Sequence, residues 1–131
     1  MPVRRTSEAG FVTLQYVWMI ATSLVLFTLV ANVVVVQYGR AVVRSALDDG
    51  VRAGARVTTS LADAELACER AAEETRRDLL GGRLGDGVAV DCSPTAGEMR
   101  AEARSVFASW FPAVPDWSFT DRAAAVQEAA P

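Results

Sequence analysis

The chain has 131 residues, 13 basic against 16 acidic side chains for a formal charge of −3, no histidine and two cysteines. That length suits one domain rather than two. Lack of histidine removes Ser-His-Asp and Cys-His catalysis, and two cysteines alone cannot complete a zinc site within one chain.

All the basic residues are arginines, and with Arg4, Arg5 and Glu8 set apart at the start, 11 arginines face 15 acids in the rest. A mildly acidic segment of this kind lacks the basic patch that nucleic acid requires. No GxGxxG or GxxxxGK[ST] pattern occurs, so neither of these phosphate-binding glycine loops is present. The acids fall on solvated helix and strand faces, with no arrangement that points to an enzyme or to a bound cofactor.

Phe11–Val36, FVTLQYVWMIATSLVLFTLVANVVVV, contains no charge. As a helix it would be about 39 Å long, enough to cross a hydrocarbon core of about 30 Å with tilt. Gln15 and Asn32 oppose insertion but stand near its two ends, and Tyr16, Trp18 and Tyr38 occupy positions suited to interfacial belts. A buried core helix rarely stays uncharged for so long. A cleaved signal peptide needs a shorter apolar stretch, although Leu29-Val30-Ala31 faintly resembles a cleavage site. A plain signal anchor is the main competing explanation. Arginine counts on the two sides, Arg4 and Arg5 against Arg40, Arg44, Arg52 and Arg56, would put the C-terminal side in the cytoplasm. Longer domains, however, translocate largely regardless of charge.

Residues 37–131 form the remaining segment, large enough to fold with a limited core. The helical pattern continues from Gln37 to Thr59, with Val43, Leu47, Val51, Gly54 and Val57 on one side. Arg44, Asp48 and Arg52 alternate in sign and are spaced to pair along the opposite face. Gly50 and Gly54, with Ala46 and Ala53, form a flat strip for close packing against a helix of this chain or of a neighbour.

A second helix is expected from Ser60, with Asp63 in a capping-box position. Its apolar stripe is Leu61, Ala64, Cys68, Ala71, Thr75 and Leu79; Glu65, Glu69, Glu73 and Arg77 face water; and Gly81-Gly82 ends it. Val88, Val90 and Cys92 then alternate as a strand, Ser93–Gly97 is a turn, and Glu98–Ser105 is a second strand. As a helix, Glu98–Ser105 would stack like charges four residues apart. Trp110–Pro115 is an apolar loop, a last strand starts near Trp117 and reaches about Gln127, and Glu128–Pro131 are expected to fray. Cys68 and Cys92 both fall where the second helix covers the sheet. A bridge between them is favoured over two buried thiols and would contribute about 3–4 kcal/mol.

Several of these residues carry a resemblance. Arg4-Arg5, a short polar leader ending at Gly10, and then Phe11-Val12-Thr13-Leu14-Gln15-Tyr16 resemble the leader and mature start of type IV pilin-like proteins, those of Tad/Flp pili especially. Ser45–Arg56, SALDDGVRAGAR, is similar to the segment after the membrane helix in TadE-like proteins. The resemblance covers most of the chain loosely and is specific only between Arg4 and Arg56. It implies a leader at 1–10 cut between Gly10 and Phe11 by a prepilin peptidase, a transmembrane helix at 11–36 and an extracytoplasmic α+β domain at 37–131. The implied fold is pilin-like: a long N-terminal helix continuing outside the membrane, and a second helix packed on a small antiparallel sheet.

The implied role is that of a minor pilin or pseudopilin in assembly of a Tad/Flp-type pilus or secretion apparatus. Its partners would be the membrane, other pilin-like subunits and the inner-membrane assembly platform, with Gln15, Tyr16, Gly50 and Gly54 as packing residues. Gln15 stands where the family often has Glu, and its lack of charge suits an accessory subunit better than a bulk one. The alternative is a signal-anchored extracytoplasmic binding domain that enters no filament.

Overall fold

The computed structural model describes residues 7–110 and 112–127. The leader residues Met1 to Thr6 and the end expected to fray, Glu128 to Pro131, lie outside the described residues, as does Phe111. Helix α1 covers Ser7–Ala55, α2 covers Leu61–Leu79 and α3 covers Arg83–Asp86; strands β1 (Val88–Thr95), β2 (Glu98–Phe107) and β3 (Trp117–Val126) follow. The chain divides into two units between Val34 and Val35.

The first unit is α1 up to Val34. Its large apolar side chains are exposed, Phe11, Trp18 and Phe27 each by 70% or more, and α1 is long and apolar enough to cross a membrane. Two of its hydroxyls are satisfied within the helix: Thr22 Oγ1 donates to Trp18 O and Thr28 Oγ1 to Leu24 O, each at 2.8 Å. This is the arrangement that apolar surroundings favour.

The second unit is α+β, and the remainder of α1 is its spine. Val36, Gly39, Val42, Val43, Ala46, Leu47, Gly50, Val51 and Gly54 recur at three- and four-residue spacing, and all are buried. The antiparallel sheet has the order β1-β2-β3. On β2, Met99, Ala101, Ala103, Ser105 and Phe107 are buried on one face, while Arg100 and Arg104 are exposed on the other. The expected alternation therefore holds and runs two residues further, to Phe107. Outside, Arg100 pairs with Glu98 at 2.9 Å, and Glu102 takes both Arg104 (3.4 Å) and Arg122 (2.7 Å). Arg122 lies directly across from Glu102 in the β2–β3 register, and its hydrogen bond is the main reason the Glu102 carboxyl is held below its ordinary pKa.

Five details differ from the sequence reading. Helix α1 ends at Ala55 rather than Thr59, and Val57 N–H closes a turn on Gly54 O. Helix α2 buries Ala64, Cys68 and Ala72, while Leu61 and Leu79 stay exposed and Leu80 enters the core. Close approach to α1 selects the small side chains. Ser93–Thr95 belong to β1, leaving only Ala96-Gly97 as the hairpin turn, with Gly97 at φ +88°. Pro94 is accommodated because β1 is an edge strand. Helix α3 was not foreseen; it starts from Gly82 at φ +61°, so the glycine pair leads into a further turn of helix as well as following α2. Finally, Arg44 bonds to Asp121 of β3 rather than being confined to Asp48 and Arg52.

The start of α2 is as expected. Ser60 is the N-cap: its Oγ accepts from Asp63 N–H at 3.0 Å and donates to the Asp63 carboxylate at 2.7 Å.

Candidate functional site

In the first unit, Gly10 and Phe11 sit in the opening turns of α1. Nothing lies within 4 Å of where a Gly10 side chain would start, and Phe11 is 70% exposed. Tyr16 is exposed, and so is Gln15, which shares one helical face with Trp18, Met19, Thr22 and Ser23. That face combines an uncharged amide and hydroxyls with large apolar groups, the mixture through which membrane helices associate.

Gly50 and Gly54 lie in the second unit and face inward. A side-chain carbon on Gly50 would meet Cys68 O at 3.0 Å and Ala72 Cβ at 3.1 Å; one on Gly54 would meet Met99 Cε at 2.7 Å, Ala64 O at 2.9 Å and Cys68 Cβ at 3.0 Å. Of the two packing partners open in the sequence, a helix of this chain or of a neighbour, α2 of the same chain occupies the strip.

Cys68 and Cys92 are joined, with their Cα atoms 6.3 Å apart. The bridge ties the buried face of α2 to the edge strand β1. On the other side of α2, Glu73 accepts from Arg76 at 2.6 and 2.8 Å and from Arg77 at 2.8 Å. The Arg76 bond is the largest cause of a Glu73 pKa lowered from 4.5 to about 2. Arg76 also donates to the backbone oxygen of Gly85, fastening α3 to α2.

A cluster missed in the sequence lies between α1 and β3. Arg44 Nε donates to Asp121 Oδ1 at 3.1 Å, and Arg40 Nη2 approaches the same oxygen at 3.4 Å. Asp121 is 7% exposed, and the Arg40 guanidinium lies 4.9 Å from the centre of the Phe119 ring, within cation–π range. The signal was available: Asp121 shares strand parity with Phe119, Ala123 and Ala125, the inward face, and an acid placed inward requires a cation. Arg40 and Arg44, four apart on a helix, supply two. Through Oδ1 Asp121 holds α1 to the sheet, while its Oδ2 and Arg40 Nε are buried without a hydrogen-bond partner; the contacts made all lie within the head, so the cluster reads as structural. Among the described residues no group of three or more His, Cys, Asp or Glu side chains is placed to hold a metal ion.

No family model matches the chain, and no curated protein or solved structure shows significant similarity to it.

Proposed function

We propose that the chain is a TadE-like minor pilin or pseudopilin, a structural component in assembly of a Tad/Flp-type pilus or related secretion apparatus. The observation that carries this reading is one helix with two environments. Its first part is apolar and exposed, and its second part is the buried spine of a small α+β head. Such a subunit rests in the bilayer by the first part and presents the head on the extracytoplasmic side. The Cys68–Cys92 bridge supports that side, because bridges persist in oxidising compartments.

In this mechanism no bond is made or broken by the protein itself. A prepilin peptidase removes residues 1–10, the apolar helix packs among those of other pilin-like subunits on the inner-membrane platform, and the head offers a surface to a tip, a partner or a target. The neutral Gln15 fits a minor subunit, which forgoes the charge that would attract a neighbour's new amino terminus.

The test is the intact mass of the protein from its native membrane. The mature chain should begin at Phe11, and Gly10→Val should leave the precursor uncut. A native protein that retains its leader would sink the proposal. The signal-anchored binding domain would then be the better reading, and the occupation of Gly50 and Gly54 within the head already suits it.

A further inference from the structure

The second unit has two distinct ends, and α1 enters at one of them. Gly39 lies there, three residues after Val36, with the Phe107 ring packed against its backbone. Gly54 lies at the other end, against Met99. The 15 residue steps of helix from Gly39 to Gly54 span about 22 Å. Because β2 runs from Met99 towards Phe107, the β2–β3 connection is at the entry end and the Ala96-Gly97 turn is at the far end. The end of α2 also returns to the entry end, where Tyr38 Oη donates to Leu79 O at 3.3 Å.

The exposed apolar side chains divide unevenly between these ends. Among the described residues of this unit the large exposed ones are Tyr38, Leu79, Val106, Trp110 and Trp117 at the entry end, and Leu61, Leu66 and Val126 elsewhere. Trp110 is 65% exposed, and Trp117 stacks on Phe119 with ring centres 6.4 Å apart. Among the described residues, the exposed aromatic rings of the unit are therefore all at the entry end, next to the point where the apolar run stops. Tyr and Trp are the side chains that settle at membrane–water interfaces.

We propose that the rim formed by Tyr38, Leu79, Val106, Trp110 and Trp117 seats in the interfacial layer of the phospholipid bilayer that holds the apolar run. The inference rests on the membrane-anchor reading of Phe11–Val36. If Val36 marks the edge of the hydrocarbon, Gly39 stands about 4.5 Å beyond it along the helix. The polar layer on each side of a bilayer is about 5–8 Å deep, so the turn of α1 that carries Tyr38 falls within it. Burying it removes exposed apolar surface from water and fixes the head against the membrane by a second contact besides the helix.

The experiment uses the full chain, with its bridge intact, in vesicles of phosphatidylcholine containing a minority of phosphatidylglycerol. Three single-tryptophan proteins are compared, each with the other native tryptophans replaced by Phe: one keeps Trp110, one keeps Trp18, and one carries Leu61→Trp at the far end. Emission is measured with lipids spin-labelled near the headgroup or deep in the chain, and with iodide on both sides of the membrane. Trp110 should be quenched more by the shallow label than by the deep one, and its iodide quenching should be several-fold weaker than that of Leu61→Trp.

A Trp110 as open to iodide as Leu61→Trp, with Trp18 quenched by lipid, overturns the inference and leaves the anchor standing. A Trp110 shielded from iodide but untouched by lipid labels also overturns it, and assigns the rim to a protein partner. A Trp18 quenched by no lipid label removes the anchor, and the inference with it. Because Trp117 stacks on Phe119, a protein retaining both Trp110 and Trp117 is run in parallel and must give the same ranking.

Discussion

Gly54→Ala is the sharpest probe of how the head is held together. On an exposed helix the change would stabilise by about 1 kcal/mol. Here the new methyl would meet three atoms inside ordinary contact distance. Met99 Cε, at 2.7 Å, ends a flexible side chain and can turn away. Ala64 O at 2.9 Å and Cys68 Cβ at 3.0 Å belong to α2, which the Cys68–Cys92 bridge fastens to β1. Overpacking of this kind costs about 1–3 kcal/mol; with two of the three atoms held in place the cost should be about 2–3 kcal/mol, which less the helix gain leaves a net loss of about 1–2 kcal/mol. For a unit of this size that corresponds to a Tm lower by about 5–15 °C. Gly50→Ala meets nothing closer than 3.0 Å, and its helix gain should offset most of its cost. The assay is thermal unfolding of the full chain in detergent micelles, bridge intact, followed by near-ultraviolet circular dichroism. A Gly54→Ala protein that melts above wild type, or below it by less than Gly50→Ala does, would refute the packing argument.

Three further outcomes follow from the same contacts. Glu73, with its pKa lowered from 4.5 to about 2 by Arg76 and Arg77, contributes stability that is present above pH 4.5 and lost as pH falls through about 2. Glu73→Gln should therefore be less stable than wild type at neutral pH, with the gap closing over that acid window in pH-dependent melts. Asp121→Asn leaves Arg40 and Arg44 without a carboxylate; both retain access to water, so the cost should be about 1–3 kcal/mol in denaturant titrations. Reduction of Cys68–Cys92, which closes a loop of 24 residues' separation, should cost about 3–4 kcal/mol, read as a lower Tm with and without reductant.

What the sequence revealed is what local rules decide. Alternation of charged with small residues in Glu98–Ser105 leaves a helix with like charges stacked, and β2 is a strand. Ser60 and Asp63 sit in capping positions, and they cap. What escaped it depends on partners distant in the chain. Arg44 has Asp48 one turn away, yet it bonds to Asp121, 77 residues on, because a carboxylate on the inward face of β3 has no water to turn to. The stripe of α2 was placed with its large residues, Leu61 and Leu79, inside. A helix that approaches a glycine strip to within contact distance buries Ala64, Cys68 and Ala72 instead. Helix α3 has too few residues for any periodicity and is held from outside by Arg76.

These placements also constrain how the protein could act on others. A small-residue strip after an apolar helix reads in sequence as a packing surface for a helix of this chain or of a neighbour, and Gly50 with Gly54 has that form. In the folded head the strip is filled by Ala64, Cys68 and Ala72 of α2, locked by a bridge, and a neighbouring subunit could reach it only by unfolding the head. Loss of assembly on enlarging either glycine would therefore report folding rather than contact. If the chain joins a filament, its helix–helix contacts do not use this strip, and the apolar run offers an exposed surface for them. There, the face of Gln15, Trp18, Met19, Thr22 and Ser23 offers polar groups among exposed apolar ones. A side-chain amide can donate and accept across a helix pair without the desolvation cost of a carboxylate. Gln15 is thus suited to a contact that forms between neutral partners, and the head is left free to set what that contact carries outward.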